Sequence, residues 1–304
     1  MTSATAARTS PADPFSRLWR RRLPLLPALL FAIVVTQVPF LLSVYYSFTE
    51  WSINPPTARR FIGFDNYQTL VSDPFFREAA WTSVLMTVST VLISLALGTL
   101  LAVLLDRHFF GQGIVRTLLI TPFLIMPVVA GLIWKNQVFS GLYGVFNWVL
   151  ERLGFTSIEF VSQYPLASIV TVLVWQWTPF MMLIMLAGLQ SQPTDVLEAA
   201  KVDGASVFGT FRQLTLPHLR RYMELSALLG TIYVVQVFDQ VDVMTGGGPD
   251  STNIPHFVYQ RSIGGGWDFG LASAYSIVVV LVSIVVATLA LRVLSGLLKD
   301  EEKV

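Results

Sequence analysis

The sequence predicts an all-α integral membrane protein with six transmembrane helices. Three observations carry this. Hydrophobic residues fill 54% of the 304 positions and charged residues only 13%, about half the charged share that covers a soluble domain. Mean hydropathy is +0.62. The apolar residues also gather into runs, and crossing a hydrocarbon core as a helix takes roughly 20 of them. Other classes fall away on the same counts. There is no cysteine, which excludes disulfides, thiolate metal sites and thiol chemistry. His108, His218 and His256 lie far apart, so no pair has metal-ligand spacing, and the dispersed acidic residues form no enzyme-like cluster. A net charge of +1, with no basic block beyond Arg20–Arg22, provides no footprint for nucleic acid.

Residues 1–22 are expected to be a cytoplasmic tail whose first sixteen residues, rich in Ser, Thr, Ala and Pro, are disordered. Leu23–Phe48 is the first span. Its apolar core is too long for a signal peptide and no small-residue cleavage site follows, so it reads as a retained helix. With the outer loop after it, it makes a unit over 23–78. A core of five helices over 79–292 comes next. Ala79–Leu105 is the second span. Thr117–Trp134, shorter but uncharged, is the third; Pro122 and Pro127 are expected to break it twice, with Gly131 following. The fourth lies within Phe160–Thr194 and carries Pro179, which predicts a kink. Leu225–Phe238 is the fifth and meets Asp239 and Asp242 at its end; Phe269–Leu291 is the sixth, before a cytoplasmic tail over 293–304.

Lys and Arg in the connections set direction. With the N-terminus inside, the inner segments hold fourteen: Arg8, Arg17, Arg20, Arg21, Arg22, Arg107, Arg116, Lys201, Arg212, Arg220, Arg221, Arg292, Lys299 and Lys303. The outer segments hold six: Arg59, Arg60, Arg77, Lys135, Arg152 and Arg261. Both termini are therefore expected to be cytoplasmic.

One inner loop, 195–217, does not read as oil. Asp195 and Glu198, three apart after Pro193, have the form of an N-cap with its reciprocal partner. Val196, Leu197, Ala199, Ala200 and Val202 predict a short helix with a small-residue face, ended by Gly204. Val207, Phe208, Phe211 and Leu214 recur at helical spacing and predict a second helix, closed by Pro217. Phe208 and Phe211 are expected to seat this helix–turn–helix on the membrane domain, leaving the alanine face for close approach of a soluble partner. An interfacial helix resting on lipid headgroups is the competing reading.

The residues of this loop also resemble a known family. Glu198-Ala199-Ala200, Asp203-Gly204-Ala205 and Leu216-Pro217 are similar to the EAA loop of bacterial ATP-binding-cassette importer permeases, and the loop sits before the penultimate helix, as it does there. "TGGGPDSTN", Thr245–Asn253, resembles the Gly-Gly-Pro loop of the carbohydrate permeases, and "FIGFDNYQTL", Phe61–Leu70, resembles their segment between spans one and two. The likeness covers nearly the whole chain and is nearest the maltose-type and glycerol-phosphate-type permeases, with the type I importer fold. It implies a multi-pass protein of the bacterial inner membrane with a second related permease, an ATPase dimer carrying ATP and Mg, and an extracytoplasmic solute-binding protein as partners. Glu198 would be the acidic contact to the ATPase, Gly204 the sharp turn, and Ala199 and Ala200 the packing face. Asp203, Leu216 and Pro217 would complete the coupling element.

Independently of that likeness, this chain has no phosphate-binding loop of its own. A Walker A motif needs Gly before Lys, and Lys135, Lys201, Lys299 and Lys303 follow Trp134, Ala200, Leu298 and Glu302. No cofactor is expected on the chain. A solute path is expected on spans four and five, because polar side chains inside a span face a bundle interior or a wet cavity. On span five, Tyr233, Gln236 and Gln240 would share a face, with Asp239 roughly 21 Å along a continuous helix at ~1.5 Å per residue. On span four, Trp175 and Trp177 suit the C–H faces of a sugar, and Gln176 its hydroxyls. Val234 and Val237 stand where the maltose-type permeases have polar residues, so a smaller polyol, another sugar or a glycerol phosphodiester is as good a candidate solute as maltose. The glycines of 246–248 and 264–266 are expected to make the last outer loop mobile. A stand-alone secondary transporter or channel is the alternative, for which the 195–217 loop would have no task.

Overall fold

The computed structural model describes residues 23–53, 55–107 and 109–301. The expected tail over 1–22, with Arg8, Arg17 and Arg20–Arg22, lies outside the described residues, as do His108 and residues 302–304.

A 3₁₀ turn, Leu23–Leu25, leads into α1, Leu26–Ser47. A short antiparallel ribbon follows, β1 Thr49–Glu50 against β2 Arg60–Phe61, with Thr49 opposite Phe61 and Glu50 opposite Arg60. Then come α2 (Asp65–Ser72), α3 (Pro74–Leu105), α4 (Gln112–Leu124) and α5 (Pro127–Ile133), which runs into a π turn at Trp134–Val138. Two short helices, α6 (Val145–Arg152) and α7 (Phe160–Gln163), precede α8 (Pro165–Gln190). Next are α9 (Thr194–Val202), α10 (Val207–Thr210), a π turn at Phe211–Thr215, and α11 (Leu216–Val234). The chain ends with α12 (Asp239–Thr245), α13 (Ile254–Arg261) and α14 (Phe269–Glu301).

α1, α3 and α8 are each long and apolar enough to cross a membrane alone. Two further segments qualify only as bent pairs: α4 with α5, at 100°, and the helix over Val207–Val234 with α12, at 55°. α14 adds the apolar stretch Phe269–Val285. Among the described residues the architecture is therefore all-helical apart from the ribbon and two isolated β-bridges, with several apolar spans.

The starts and breaks differ from expectation for local reasons. α3 begins five residues before Ala79 because Asp73 caps it, its carboxylate accepting from the amides of Phe75 (2.9 Å) and Phe76. The third span is broken once, not twice. Pro122 sits inside α4, whereas Pro127 opens α5, where its missing N–H costs nothing. Met126 before it is extended (φ −57°, ψ 133°), as a residue preceding proline prefers. The fifth span is not continuous either: it ends at Val234 and resumes at Asp239, so Tyr233, Gln236 and Gln240 do not lie along one helix face. α8 runs through Pro179, and α14 continues past Leu291 to Glu301.

The core lies between α3, α8 and the two broken spans. Met86, Val91, Ile169, Val172, Leu173, Met181, Val234, Val237, Val241 and Met244 form one buried cluster. Ala102, Leu105, Met182, Met185 and Leu186 form a second toward the end that carries α9. α1 stands at the periphery against α14, with only Ser47 buried. Its C-terminal end is tied down by Asn66, whose amide donates to the carbonyls of Ser47 and Thr49 (2.9 and 3.0 Å). At the same end of the bundle Asp73 accepts from the Tyr275 hydroxyl (2.6 Å) and pairs with Arg261 (3.2 Å), joining α3, α13 and α14.

α3 and α8 are in close contact at Gly98. A Cβ there would lie 2.8 Å from both Met181 Cβ and the Met182 amide nitrogen, atoms that cannot retreat without moving α8. Gly98→Val is expected to lose ~1–3 kcal/mol through overpacking, read as a lower thermal unfolding midpoint in detergent. Gly230→Ala is the control: its added methyl meets the Met181 Cε methyl group, the free end of a flexible side chain, and the midpoint should shift less.

Candidate functional site

The two breaks face one cleft. A break in a membrane helix frees backbone carbonyls that must find donors inside the protein. In the third span the freed Ile125 carbonyl accepts from Gln176 Nε2 on α8 (2.8 Å). Gln176 Oε1 in turn accepts from Gln240 Nε2 on α12 (2.7 Å), so one amide pair bolts both broken spans to α8. Gln176 and Gln240 are only 4% and 3% exposed, which makes these bonds part of the frame. In the fifth span the freed Val237 carbonyl accepts from Asn253 Nδ2, and Asn253 Oδ1 caps α13 by accepting from the His256 amide (3.2 Å).

Between the breaks lies a cleft of about 340 Å³, lined by Phe123, Ile125, Pro127, Gln176, Trp177, Tyr233, Gln236, Val237, Phe238, Asp239 and Gln240. Its volume falls in the range of small-molecule sites. Trp177 and Tyr233 stack at 5.5 Å and 26°, while Phe123 meets Trp177 edge-on at 5.7 Å. Gln236 lies in the break itself, its amide nitrogen turned back to the Ile232 carbonyl (2.8 Å). Asp239 opens α12 and is half-buried. Of the six residues expected on the solute path, Gln176, Trp177, Tyr233, Gln236 and Asp239 line one cavity, together with Gln240, expected on the same face of span five. The sixth, Trp175, is placed in the core cluster against Trp134, with ring centroids 5.6 Å apart. Phe123 had no signal in the sequence beyond its place before the break.

The loop between α8 and α11 forms the second candidate region. Asp195 does not cap α9. The helix starts at Thr194 after Pro193, without a side-chain cap, and Asp195 sits in the first turn, where a carboxylate complements the helix dipole. No residue of α9 is buried: Glu198 and Ala199 are exposed and Ala200 half-exposed. Asp203 is the C-cap residue and Gly204 follows at φ +77°. The Gly204 amide donates to Lys201 O (3.1 Å) and the Ala205 amide to Ala200 O (2.9 Å), which closes a Schellman turn. Gly204→Val would force a β-branched residue into the left-handed region at a cost of ~1–2 kcal/mol. The turn should then fray, and limited trypsin digestion should cut faster at the exposed Lys201 and Arg212; unchanged cleavage would contradict the turn's role.

Two expectations for the second helix fail together. Pro217 does not close it but lies in the first turn of α11, because the π turn at Phe211–Thr215 carries the chain past the missing N–H. That wider turn also shifts the helical phase, and Phe208 ends 72% exposed instead of seated on the membrane domain. Leu216 is likewise exposed. The loop is held at its root by other residues. Ser191 Oγ, just after α8, hydrogen-bonds the Tyr222 hydroxyl (2.7 Å) and His218 Nε2 (3.1 Å), and the Tyr222 ring packs on Gly188. α9 therefore projects from a clasp between spans four and five.

The 245–253 segment is folded on itself by hydrogen bonds. Gly246 and Gly247 both adopt φ +64°, so the glycines supply left-handed turns. Ser251 Oγ bonds Thr245 Oγ1 (2.9 Å), Thr252 bonds the Gly247 carbonyl (2.5 Å), and Ser251 and Asn253 are fully buried.

Comparison with known proteins places this geometry. Residues 94–298 match the family described as the binding-protein-dependent transport system inner membrane component. A probable ABC transporter permease protein of Sinorhizobium fredii is 38% identical over 96% of this chain and 98% of its own. A trehalose/maltose transport system permease protein of Thermococcus litoralis is 34% identical over 84% of this chain and 85% of its own. In three dimensions, a chain of a bacterial ABC transporter involved in the import of the acidic polysaccharide alginate aligns with a TM-score of 0.80 at 21% identity, covering 93% of this chain and 97% of that one.

Proposed function

The chain belongs to the binding-protein-dependent transport system inner membrane components, and from that premise we propose that it forms half of the translocation path of an ATP-driven importer for a sugar, sugar alcohol or related carbohydrate. It is a permease subunit, not an enzyme. In this reading six spans cross the bacterial inner membrane, with both broken pairs counted as one span each and both termini in the cytoplasm, a direction supported by the Lys and Arg bias. A second, related permease completes the path. ATP and Mg reside on a dimer of ATPase subunits, and an extracytoplasmic binding protein delivers the solute.

The observation that carries the proposal is α9. A nine-residue helix with none of its residues buried, held only at its root, has nothing to do within this chain. Val202, Val207 and Phe208 stand exposed beside its acidic and small residues, a surface that suits a protein cleft better than water. Glu198, Ala199, Ala200, Asp203 and Gly204 are the coupling residues in this reading, with Leu216 and Pro217 joining the loop to span five. The carbohydrate class is supported by the trehalose/maltose relative and by the Trp177–Tyr233 wall of the cleft.

The test is affinity purification of the tagged chain from native membranes in mild detergent, followed by mass spectrometry. Recovery of a P-loop ATPase and a second permease is the expected result. A chain that comes out alone and still moves solute in liposomes would overturn the proposal in favour of a stand-alone transporter.

A further inference from the structure

We propose that Asp239 makes this half of the path selective for uncharged, hydroxylated solutes and turns anionic ones away. The inference rests on the importer reading above and goes beyond it, choosing among the sugars, polyols and phosphodiesters left open by the family.

The cleft has two unlike walls. One is aromatic, built from the stacked Trp177 and Tyr233 with Phe123 edge-on, a surface on which the C–H face of a sugar ring packs. The other is polar, with Gln236 and Asp239 reaching it from the break in span five. Asp239 is the one carboxylate among the lining residues, and no lysine, arginine or histidine accompanies it. Among the described residues no cation pairs with it and no donor bonds it. Its oxygens are thus free to accept from neighbouring hydroxyls, and such charge-assisted bonds are about twice as strong as neutral ones. Gln236 has one amide hydrogen engaged with the Ile232 carbonyl, and its side-chain oxygen is a second acceptor for solute hydroxyls.

The same arrangement penalises an anion. A phosphate, sulfonate or uronate in the cleft would stand beside a carboxylate with no paired cation among the described residues, with apolar rings opposite in place of water. A like-charge juxtaposition of this kind lowers binding by ~30-fold or more. Asp239 opens α12, so the positive end of that short helix already has its counter-charge. A glycerol phosphodiester is the poorest fit among the solutes weighed, and a neutral glycoside or polyol the best.

The experiment uses the assembly purified with its ATPase and second permease, without the binding protein, so that the permease alone sets selectivity. Retention of two radiolabelled probes is measured by equilibrium dialysis: maltose, and its analogue whose non-reducing ring carries a carboxylate. Wild type should retain maltose at least ~30-fold better than the acid. Asp239→Asn should narrow that ratio to within ~3-fold and Asp239→Lys should invert it. A ratio near one in the wild type, or a ratio unmoved by Asp239→Asn, would overturn the proposal. So would loss of the second permease from the Asp239→Asn assembly, since Asp239 would then be the partner of a cation across the interface. The importer reading fails separately, at purification, if no ATPase accompanies the chain.

Discussion

Glu198→Arg is expected to leave the chain inserted at normal levels and to abolish ATP-driven uptake. Glu198 is exposed on a helix none of whose residues is buried, and no described residue pairs with it. Arginine and glutamate have similar helix propensity, so the fold should lose no more than ~0.5 kcal/mol, as for surface changes generally. At a docked interface the result differs. Reversing a charge where it meets its complement costs several kcal/mol, and each ~1.4 kcal/mol is tenfold in affinity. Uptake should therefore fall by ~100-fold or more, with the ATPase lost from the purified assembly. Glu198→Gln, which removes the charge without reversing it, should retain more activity. Wild-type uptake by the Arg variant at normal expression would rule out a coupling role for α9.

Trp177→Ala is the second large effect. Trp177 stacks on Tyr233 and meets the edges of Phe123 and Phe180, so its indole is the centre of the aromatic wall. Truncating a central aromatic anchor of a binding surface typically costs ~2 kcal/mol or more, equivalent to ~30-fold. In a system where a binding protein captures the solute, half-saturation reports that capture step. The loss should therefore appear as a maximal uptake rate lower by ~10–30-fold, with half-saturation unchanged. Trp177→Phe keeps a ring against Tyr233 and should recover much of the rate. An unchanged rate in the Ala variant would remove Trp177 from the path.

The two kinds of element were not equally legible in the sequence. Uninterrupted apolar runs place helices well, because burial in lipid asks only for length and hydropathy; α1, α3 and α8 fall where the runs are. Gly204 was legible too, since a short helix followed by glycine signals a left-handed cap. The break before Pro127 was legible from the proline itself; the break in span five was not. Val235–Phe238 contains neither glycine nor proline, and the side chains that stabilise the breaks come from far away: Gln176 serves Ile125, 51 residues off, and Asn253 serves Val237, 16 residues off. Periodicity sees neighbours within a helix and cannot see such distant donors. Pro217 misled for the converse reason. A proline normally stops a helix, but a π turn just before it absorbs the missing bond. Within the cleft, the sequence singled out the aromatic and polar residue types. Which of them turn inward, and that Gln176 is taken up by the frame, depend on the fold.

The central claim is that α9 docks this chain onto an ATPase. The chain has no cysteine, so Ala199→Cys creates a unique thiol on the exposed helix. In inside-out vesicles from native membranes, a short thiol-to-amine cross-linker should join the chain to one subunit, identified by mass spectrometry as carrying a nucleotide-binding P-loop. The adduct should vanish when Glu198→Arg is added. A thiol that reacts with a membrane-impermeant maleimide from outside intact cells, or an adduct containing only this chain, would contradict the account.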